Sequence, residues 1–424
     1  MKTKITFLVA LCLLAISNVW ATKHPVTTTA EFTTAWGAYV AGDTIVMSTG
    51  TYSGFGDKNI TKSVTIMSAD TTSTDRPIIV AGQFIFTQPN CSFVINGIEA
   101  YYYTEAASVT DSKYFLQAVA NTMSTGTIPL ISLRNCTIHG YSRGLIRADN
   151  TTAANIPTIP EIFINNCLLY DISRVRADYT ALGLKAAKMT KVTIKNTTFY
   201  NSPCGFFYSE NTDTPVNLLI ENCCLIKLTN NTTTGTQTNA SKMIIYNNGN
   251  AGSTRTIKNT IISDSFDGST ERMQIKLGSD GTTNWGNADN VVFGNNMNAA
   301  IFTSTVLTVN NQTTATSLSY NYPAMTITTD PITINNLGDP RWRINGVWTN
   351  AISKSESNIF ANIHNNQLTI GNLPLNSTIN VYSFAGSRLF SKKNSGSILQ
   401  VPVNYSCIVK VTSDKETVSL KVIK

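Results

Sequence analysis

Residues 134 to 195 carry nine basic side chains, from Arg134 to Lys195, against Asp149, Glu161, Asp171 and Asp178. Arginines and lysines held in register can clamp a carboxylate or sulfate, so an anionic ligand would meet the chain here. A spacing of 31 residues sets Ser142-Arg143 over Ser173-Arg174, and a two-residue gap then sets Arg147-Ala148-Asp149 over Arg176-Ala177-Asp178. Tyr179, Lys185 and Lys188 follow, and the next repeat adds Tyr208 and Glu210. Arg143, Arg147, Arg174, Arg176, Tyr179 and Lys188 are therefore the candidate ligand-binding residues. Lys185 and Tyr208 could serve as base and acid where a proton beside a carboxylate is removed. The competing reading is structural, with Arg-x-Asp pairs neutralising one another along a stack. Glycoside hydrolysis needs two carboxylates about 5 to 9.5 Å apart, and outside Asp149 and Asp178, which are linked to arginines, the sequence offers no convincing pair. The cysteine spacing matches no zinc motif and there are three histidines in all, so no metal or other cofactor is expected, with calcium left open.

Such residues need a scaffold that sets them side by side, and a repeated phrase supplies it. Ile95-Asn96-Gly97-Ile98, Leu133-Arg134-Asn135-Cys136, Ile164-Asn165-Asn166-Cys167, Ile194-Lys195-Asn196-Thr197, Ile220-Glu221-Asn222-Cys223 and Ile257-Lys258-Asn259-Thr260 recur at intervals of 26 to 39 residues. Each ends an alternating run such as Lys191-Val192-Thr193-Ile194, the pattern of a strand closing in a bend. A unit of this size cannot bury its own apolar face, so the coils must stack, about 4.8 Å apart, with like residues above one another. Stacked asparagines can then hydrogen-bond into a ladder. Cys136, Cys167 and Cys223 share the place after the asparagine and read as small buried hydrophobes. The expectation is an all-β parallel β-helix over residues 22–342, about ten coils of order 30 residues each.

The ends read differently. Lys2 and Lys4 precede an apolar run from Ile5 to Ile16, and Val19-Trp20-Ala21 offers small residues for cleavage, the pattern of a secretory signal over residues 1–21. That run is too short to span a bilayer, so no membrane span is expected. Thr29 to Trp36 reads as a short amphipathic helix near 29–38, suited to cover the open end of a solenoid. Ala41 to Met47 turns into a strand, and Gly50-Thr51-Tyr52 reads as the turn out of it. Beyond a linker at 343–357, residues 358–424 change character. Leu368-Thr369-Ile370, Ile379 to Tyr382, Ile398 to Val401, Cys407 to Val411 and Val418 to Val422 are short alternating strands, the pattern of a small β-sandwich. Of the formal charge of +7, the signal holds +2 and residues 351–424 hold +5, since eight Lys or Arg there face three acids; residues 22–350 are neutral. A general nucleic-acid-binding field is thereby excluded for the body.

The 29–36 helix, the Gly42-Asp43-Thr44-Ile45-Val46 and Gly50-Thr51-Tyr52 phrases and Val64-Thr65-Ile66 resemble the opening of secreted right-handed parallel β-helix proteins, a group that includes pectate lyases and the chondroitinase B and alginate lyase group. Asp178-Tyr179, Asn196-Thr197-Thr198-Phe199 and Gly338-Asp339-Pro340-Arg341-Trp342 resemble β-helix domains of unknown function from exported Bacteroidetes proteins, the last phrase marking the end of the helical body. Val381-Tyr382-Ser383-Phe384-Ala385-Gly386, Tyr405 to Val411 and Lys421-Val422-Ile423-Lys424 resemble the type IX (Por) secretion sorting domain. That likeness implies a partner in the secretion machinery and a secreted or cell-surface location. In the chondroitinase B and alginate lyase group a lysine precedes an Asn-Thr-Phe phrase and an Arg-His pair follows it. Lys185 fits the first position, but the later strand reads Phe206-Phe207-Tyr208-Ser209-Glu210 and the Arg-His pair is missing. The reading is an exported monomer that binds polysaccharide without turnover. The alternatives are a lyase on a uronic-acid polymer, built on Lys185 and Tyr208, and a surface adhesin or structural protein.

Overall fold

In the computed structural model the chain forms two compact units, Met1–Gly346 and Val347–Lys424. The structure describes residues 21–71, 73, 75–103, 113–118, 126–148, 156–173, 180–185, 187–211, 213–228, 243–247, 252–265, 274–277, 286–289, 291–294, 307–310, 313–314, 318–321, 326–329, 337–342, 360–364, 367–371, 373, 376–383, 388–394, 396, 398–403, 407–413 and 417–422. Residues 1–20 of the expected signal segment and Arg174, Arg176 and Tyr179 lie outside these residues.

The first unit is a parallel β-helix. Apart from one hairpin, its described strands fall into three all-parallel sheets of eleven, ten and eight strands, and from Thr44 to Leu277 each coil contributes one strand to each sheet in turn. Sheet A begins with Lys23–Val26 and Thr44–Met47, sheet B with Gly50–Tyr52, and sheet C with Gly56–Ile60. Gly50-Thr51-Tyr52 is thus a strand rather than the turn expected from its glycine. The core is made of apolar columns, because register places like residues above one another. In sheet A, Ile45, Ile66, Ile95, Leu133, Ile164, Ile194, Ile220 and Ile257 stand in one such column, all fully buried. Matching columns run through sheet B (Ile79, Ala100, Ile138, Leu169, Phe199, Leu225) and sheet C (Phe84, Leu116, Ile146, Leu182, Phe207, Ile245). A β-branched side chain suits this pleated, fully covered position.

The asparagine after each sheet A strand makes the bend. Asn135, Asn166, Asn196, Asn222 and Asn259 all take left-handed backbone angles, with φ between 49° and 54°, and Gly97 stands in the same place at 73°. Asparagine and glycine tolerate that conformation best. Each of these residues also donates its backbone N–H to the next coil, Asn135 to the Asn165 carbonyl at 3.0 Å and Asn166 to that of Lys195 at 3.1 Å. The side chains form the expected ladder. Asn135 Nδ2 donates to Asn96 Oδ1 at 2.8 Å and Asn166 Nδ2 to Asn135 Oδ1 at 2.7 Å. It then steps over by one residue, since Asn196 Nδ2 donates to Asn165 Oδ1 at 2.9 Å before Asn222 Nδ2 meets Asn196 Oδ1 at 3.2 Å.

The following residue turns inward, and its chemistry explains why cysteine and threonine alternate there. Cys136 Sγ donates to the Arg134 carbonyl at 3.0 Å and Cys167 Sγ to that of Asn165 at 3.4 Å, while Thr197 Oγ1 meets the Lys195 carbonyl at 2.7 Å and Thr260 Oγ1 that of Lys258 at 2.9 Å. A small side chain with one donor serves in either form. All seven cysteines from Cys91 to Cys407 are free and buried, and burial pushes the thiols of Cys204 and Cys223 up to about 12, where they are unreactive.

The helix Thr29–Ala38 closes the first coil. Thr28 Oγ1 accepts from the Glu31 N–H at 3.2 Å and Glu31 Oε2 accepts from the Thr27 N–H at 2.6 Å, a capping box that fixes its start. Phe32 packs on Phe55 at 4.6 Å and Trp36 on Phe84 at 5.9 Å, so the cap covers the end of the core with aromatic rings. Toward the other end one apolar column, Phe93, Ile131, Ile162, Val192 and Leu218, is broken by Arg255. Its guanidinium is 1 % exposed, donates from Nε to Asn247 Oδ1 at 2.5 Å, and is lowered by burial to about 10.

After the last described coil strands, Leu307–Asn310 and Thr313–Thr314, an antiparallel hairpin of Leu318–Asn321 and Thr326–Thr329 ends the regular winding. The chain then returns as a strap along the outside. Gly338 N–H donates to the Asn259 carbonyl at 2.8 Å, Thr198 Oγ1 donates to Asp339 Oδ2 at 2.7 Å, and Arg341 reaches the carbonyls of Cys167 and Asn196 while pairing with Asp339. Gly338 has φ 67°, and a Cβ there would come within 2.7 Å of Cys224 Sγ, so both the turn and the close approach require glycine. The strap thereby ties together coils that are distant in sequence, through a buried ion pair.

The second unit is a separate antiparallel sandwich. One sheet holds Phe360–His364, Gln367–Gly371 and Ile398–Pro402; the other holds Arg388–Lys393, Thr378–Tyr382, Cys407–Thr412 and Thr417–Val422. Leu368, Ile370, Ile379, Val381, Val409 and Val411 fill its core. Two of these strands, Phe360–His364 and Arg388–Lys393, escaped the sequence reading. The latter is an edge strand whose Arg388, Lys392 and Lys393 are exposed, so it shows no alternation and its charges discourage further pairing.

Two mutations test this account. Asn166→Ala should cost about 1 to 3 kcal/mol from the lost ladder bond, and Asn166→Gly less, because about 1 kcal/mol of left-handed strain is absent with glycine; equal losses by denaturant titration would contradict the bend's role. Arg341→Ala should destabilise the first unit by about 3 to 5 kcal/mol by leaving Asp339 a buried, unpartnered charge, read as a lower thermal midpoint of the full chain.

Candidate functional site

Sheet C presents the only candidate residues that the fold gathers together among those described. Arg147 ends the strand Gly144–Arg147, Gly183 ends Leu182–Gly183, and Tyr208 is the middle of Phe207–Ser209. Register sets Arg147 beside Gly183 and Gly183 beside Tyr208. Arg147 and Tyr208 are therefore two strand spacings apart, about 9.6 Å, with no side chain between them. The sequence alignment of Arg147 over Arg176 does not hold: Ser142 and Ser173 do stack, since the Ser173 N–H bonds to the Tyr141 carbonyl at 2.8 Å, but Arg147 pairs with Gly183. Ten residues separate Ser173 from Gly183 where five separate Ser142 from Arg147, so a two-residue gap is too short.

Just past Gly183 and Tyr208 the chain brings up Lys185 and Glu210, joined through the backbone by the Glu210 N–H to the Lys185 carbonyl at 2.8 Å. Glu210 binds both predicted reactive residues. Tyr208 donates its hydroxyl to Glu210 Oε1 at 2.5 Å, and Lys185 Nζ stands 3.5 Å from Oε2. Lys185 and Glu210 are 41 % and 34 % exposed, so the cluster faces solvent rather than the core. Across the gap, the Arg147 guanidinium lies 5.3 Å over the ring of Tyr114, which orients it as a cation–π partner while keeping it half-buried. The result is a notch floored by the Gly183 backbone, with a guanidinium on one wall and an ammonium, a phenol and a carboxylate on the other. It can accept an anionic group near Arg147 and Lys185 and hydroxyl groups at Tyr208 and Glu210.

The remaining candidates are placed differently. Arg143 lies in the corner before Gly144–Arg147, half-buried, where its N–H bonds to the Lys113 carbonyl at 3.0 Å and its carbonyl accepts from Ser173 Oγ at 2.8 Å. Lys188 begins a strand of sheet A and pairs with Asp213 at 3.1 Å, an exposed ion pair on another face. Gly183 and Tyr114 are contributors that the sequence reading did not name, and Glu210 was named there without a role. A glycine in an otherwise filled outward row was the signal for the notch, legible once the coil register is known. No group of three or more His, Cys, Asp or Glu residues is placed to hold a metal among the described residues. No helix of these residues is long and apolar enough to cross a membrane.

The chain matches no protein-family model and no curated protein. Among solved structures it is similar to the PL6 family alginate lyase AlyGC, with a TM-score of 0.24 and 10% identity, and to a point mutant of that enzyme, with a TM-score of 0.22 and 10% identity. Each likeness covers 76% of this chain, which spans 57% of the length of those chains.

The notch yields a prediction with a built-in control. A Cβ at Gly183 would meet nothing nearer than Thr180 Oγ1 at 3.6 Å, an ordinary contact, so Gly183→Ala should fold and bind an anionic oligosaccharide as the parent does. Gly183→Tyr should fold, since an outward tyrosine already occupies the adjacent strand, yet weaken that binding about tenfold or more, about 1.4 kcal/mol. Calorimetric titration of the two variants measures the difference.

Proposed function

We propose that the protein is an exported β-helix, secreted or held at the cell surface, that binds an acidic polysaccharide along the outer face of sheet C without cleaving it. The observation that carries this reading is the Glu210 cluster. Proton abstraction needs a base with an open lone pair aimed at the substrate, whereas Lys185 and Tyr208 are both engaged with one carboxylate. Two cations, Arg147 on the neighbouring coil and Lys185 two residues along the chain, border the outward position of Gly183, which carries no side chain, and suit a chain of charged sugars lying across the coils. An ordinary ligand groove has that composition, a few fixed polar groups on a rigid wall.

The charge distribution supports an acidic ligand, since residues 134–195 carry nine basic residues against four acids within a body that is neutral as a whole. Export is supported by the leader pattern of residues 1–21 and by the likeness of the C-terminal strands to the type IX sorting domain. The sandwich has its own core, as a module read by secretion machinery would need. A further prediction tests binding against turnover. The purified protein, incubated with a panel of uronic-acid polysaccharides, should bind at least one with an affinity that falls as salt is raised, because exposed charge contacts are screened over roughly 8 Å at physiological ionic strength. Lys185→Ala should weaken that binding by about 1.5 to 3 kcal/mol, the range for hydrogen bonds to charged groups. No ultraviolet absorbance of an unsaturated sugar should accumulate. Its steady appearance, lost in Tyr208→Phe, would make the protein a lyase instead; salt-independent or absent binding would leave the face as scaffolding.

A further inference from the structure

The first strand of sheet A, Lys23–Val26, lies at the sheet's edge and pairs in parallel with Thr44–Met47, Lys23 beside Thr44. That register sets Thr22 beside Asp43. Asp43 is only 1 % exposed, yet its carboxylate collects three nitrogens. Oδ1 accepts from the Thr22 backbone N–H at 2.7 Å, and Oδ2 accepts from the Val40 N–H at 2.9 Å and stands 2.7 Å from His24 Nε2. The Val40 hydrogen bond, acting against burial and joined by those from His24 and Thr22, holds the carboxyl down at about 2. Asp43 is therefore an enclosed anion beside the edge of the cap. The Thr22 carbonyl is fixed as well, accepting from the Thr44 N–H at 2.9 Å, so the nitrogen that meets Asp43 is held from both sides of its residue.

Thr22 is also the residue that follows Val19-Trp20-Ala21, the small-residue stretch expected to end the leader. We infer that the Ala21–Thr22 peptide bond is a processing site and that its cleavage creates a part-buried ion pair between the new α-ammonium of the exposed Thr22 and the buried Asp43. The step is a hydrolysis, carried out by a leader-removing protease with water as co-reactant. The C–N bond breaks, water's oxygen joins the Ala21 carbonyl carbon to give a carboxylate, and the Thr22 nitrogen takes up protons to become an ammonium. That nitrogen already stands in hydrogen-bond contact with Oδ1, so no backbone movement is needed. A hydrogen bond with one charged partner becomes one in which both partners are charged, and the edge strand next to the cap is held more tightly in the processed chain. Maturation is thus coupled to closure of the N-terminal end of the solenoid.

The processing step rests on the export reading above, whereas the clasp can be tested without it, so the experiment has two arms. First, the full chain with its leader is produced in an exporting bacterial host and the exported protein is weighed by intact-mass spectrometry. A chain beginning at Thr22 is expected; a start at any other residue overturns the processing site. Second, two forms are prepared by a site-specific protease that leaves no foreign residue, one beginning at Thr22 and one at Ala21, with Asp43 intact in both. Their α-amines are labelled at neutral pH with an amine-selective acylating reagent, and their melting temperatures are compared. The Thr22 form should label at least tenfold more slowly and melt about 1 to 2 °C higher, the shift that a tenfold gain in folding equilibrium gives a unit of this size. Equal labelling rates and equal melting temperatures would overturn the ion pair, whichever result the first arm gives.

Discussion

The fold depends on a bend that must be both left-handed and repeated. Parallel coils stack only if each turn returns the chain one strand spacing along the axis, and here a residue with φ near 50° does so while donating its N–H to the coil beyond. An ordinary side chain is strained in that conformation, by about 1 to 2 kcal/mol, so asparagine and glycine recur at Gly97, Asn135, Asn166, Asn196, Asn222 and Asn259. Register follows from the bend, and everything else follows from register: the isoleucine column of sheet A, the cysteine and threonine donors behind it, and the rows of outward side chains on sheet C.

One such row makes the candidate site. Because Arg147, Gly183 and Tyr208 occupy equivalent places in three successive coils, what separates the guanidinium from the phenol is set by strand spacing and not by a flexible loop. Loops contribute only the residues two places further on, Lys185 and Glu210, and these are tied by a backbone hydrogen bond. A rigid array of this kind suits a repeating polymer, whose charges also recur at fixed intervals. The Asp339–Arg341 strap acts on the same coils from the outside, fastening Cys167, Asn196 and Thr198 of the stack on which the site is built.

Much of this was legible in the sequence because stacking copies its constraints from coil to coil. The asparagine phrase, the apolar residue two places before it and the cap helix are local signals that repeat or sit at an end. The second set of left-handed residues, Gly140, Asp171, Asn201, Lys227 and Asp264 at the ends of the sheet B strands, was not recognised, because four different residue types meet one backbone need there and no phrase recurs. The site was legible in part. Lys185 and Tyr208 were singled out and do meet, but through Glu210, whose role depends on a pairing between coils that differ in length. Arg147 was set over Arg176 by a gap too short for the excursion between them, and Lys188 belongs to a different sheet. Coil-length variation is therefore where the reading of a solenoid sequence fails first, since periodicity says which residues are equivalent in bends and strands and nothing about the loops between.

The central claim is that a ligand lies across successive coils of sheet C, in the notch over Gly183. Hydrogen–deuterium exchange of the intact protein, with and without an oligouronate that it binds, locates the contact directly. The account predicts added protection confined to peptides covering residues 144–147, 182–185 and 207–210, with the sheet B face and the C-terminal sandwich unchanged. Protection on another face of the solenoid, with these peptides unaffected, would contradict it.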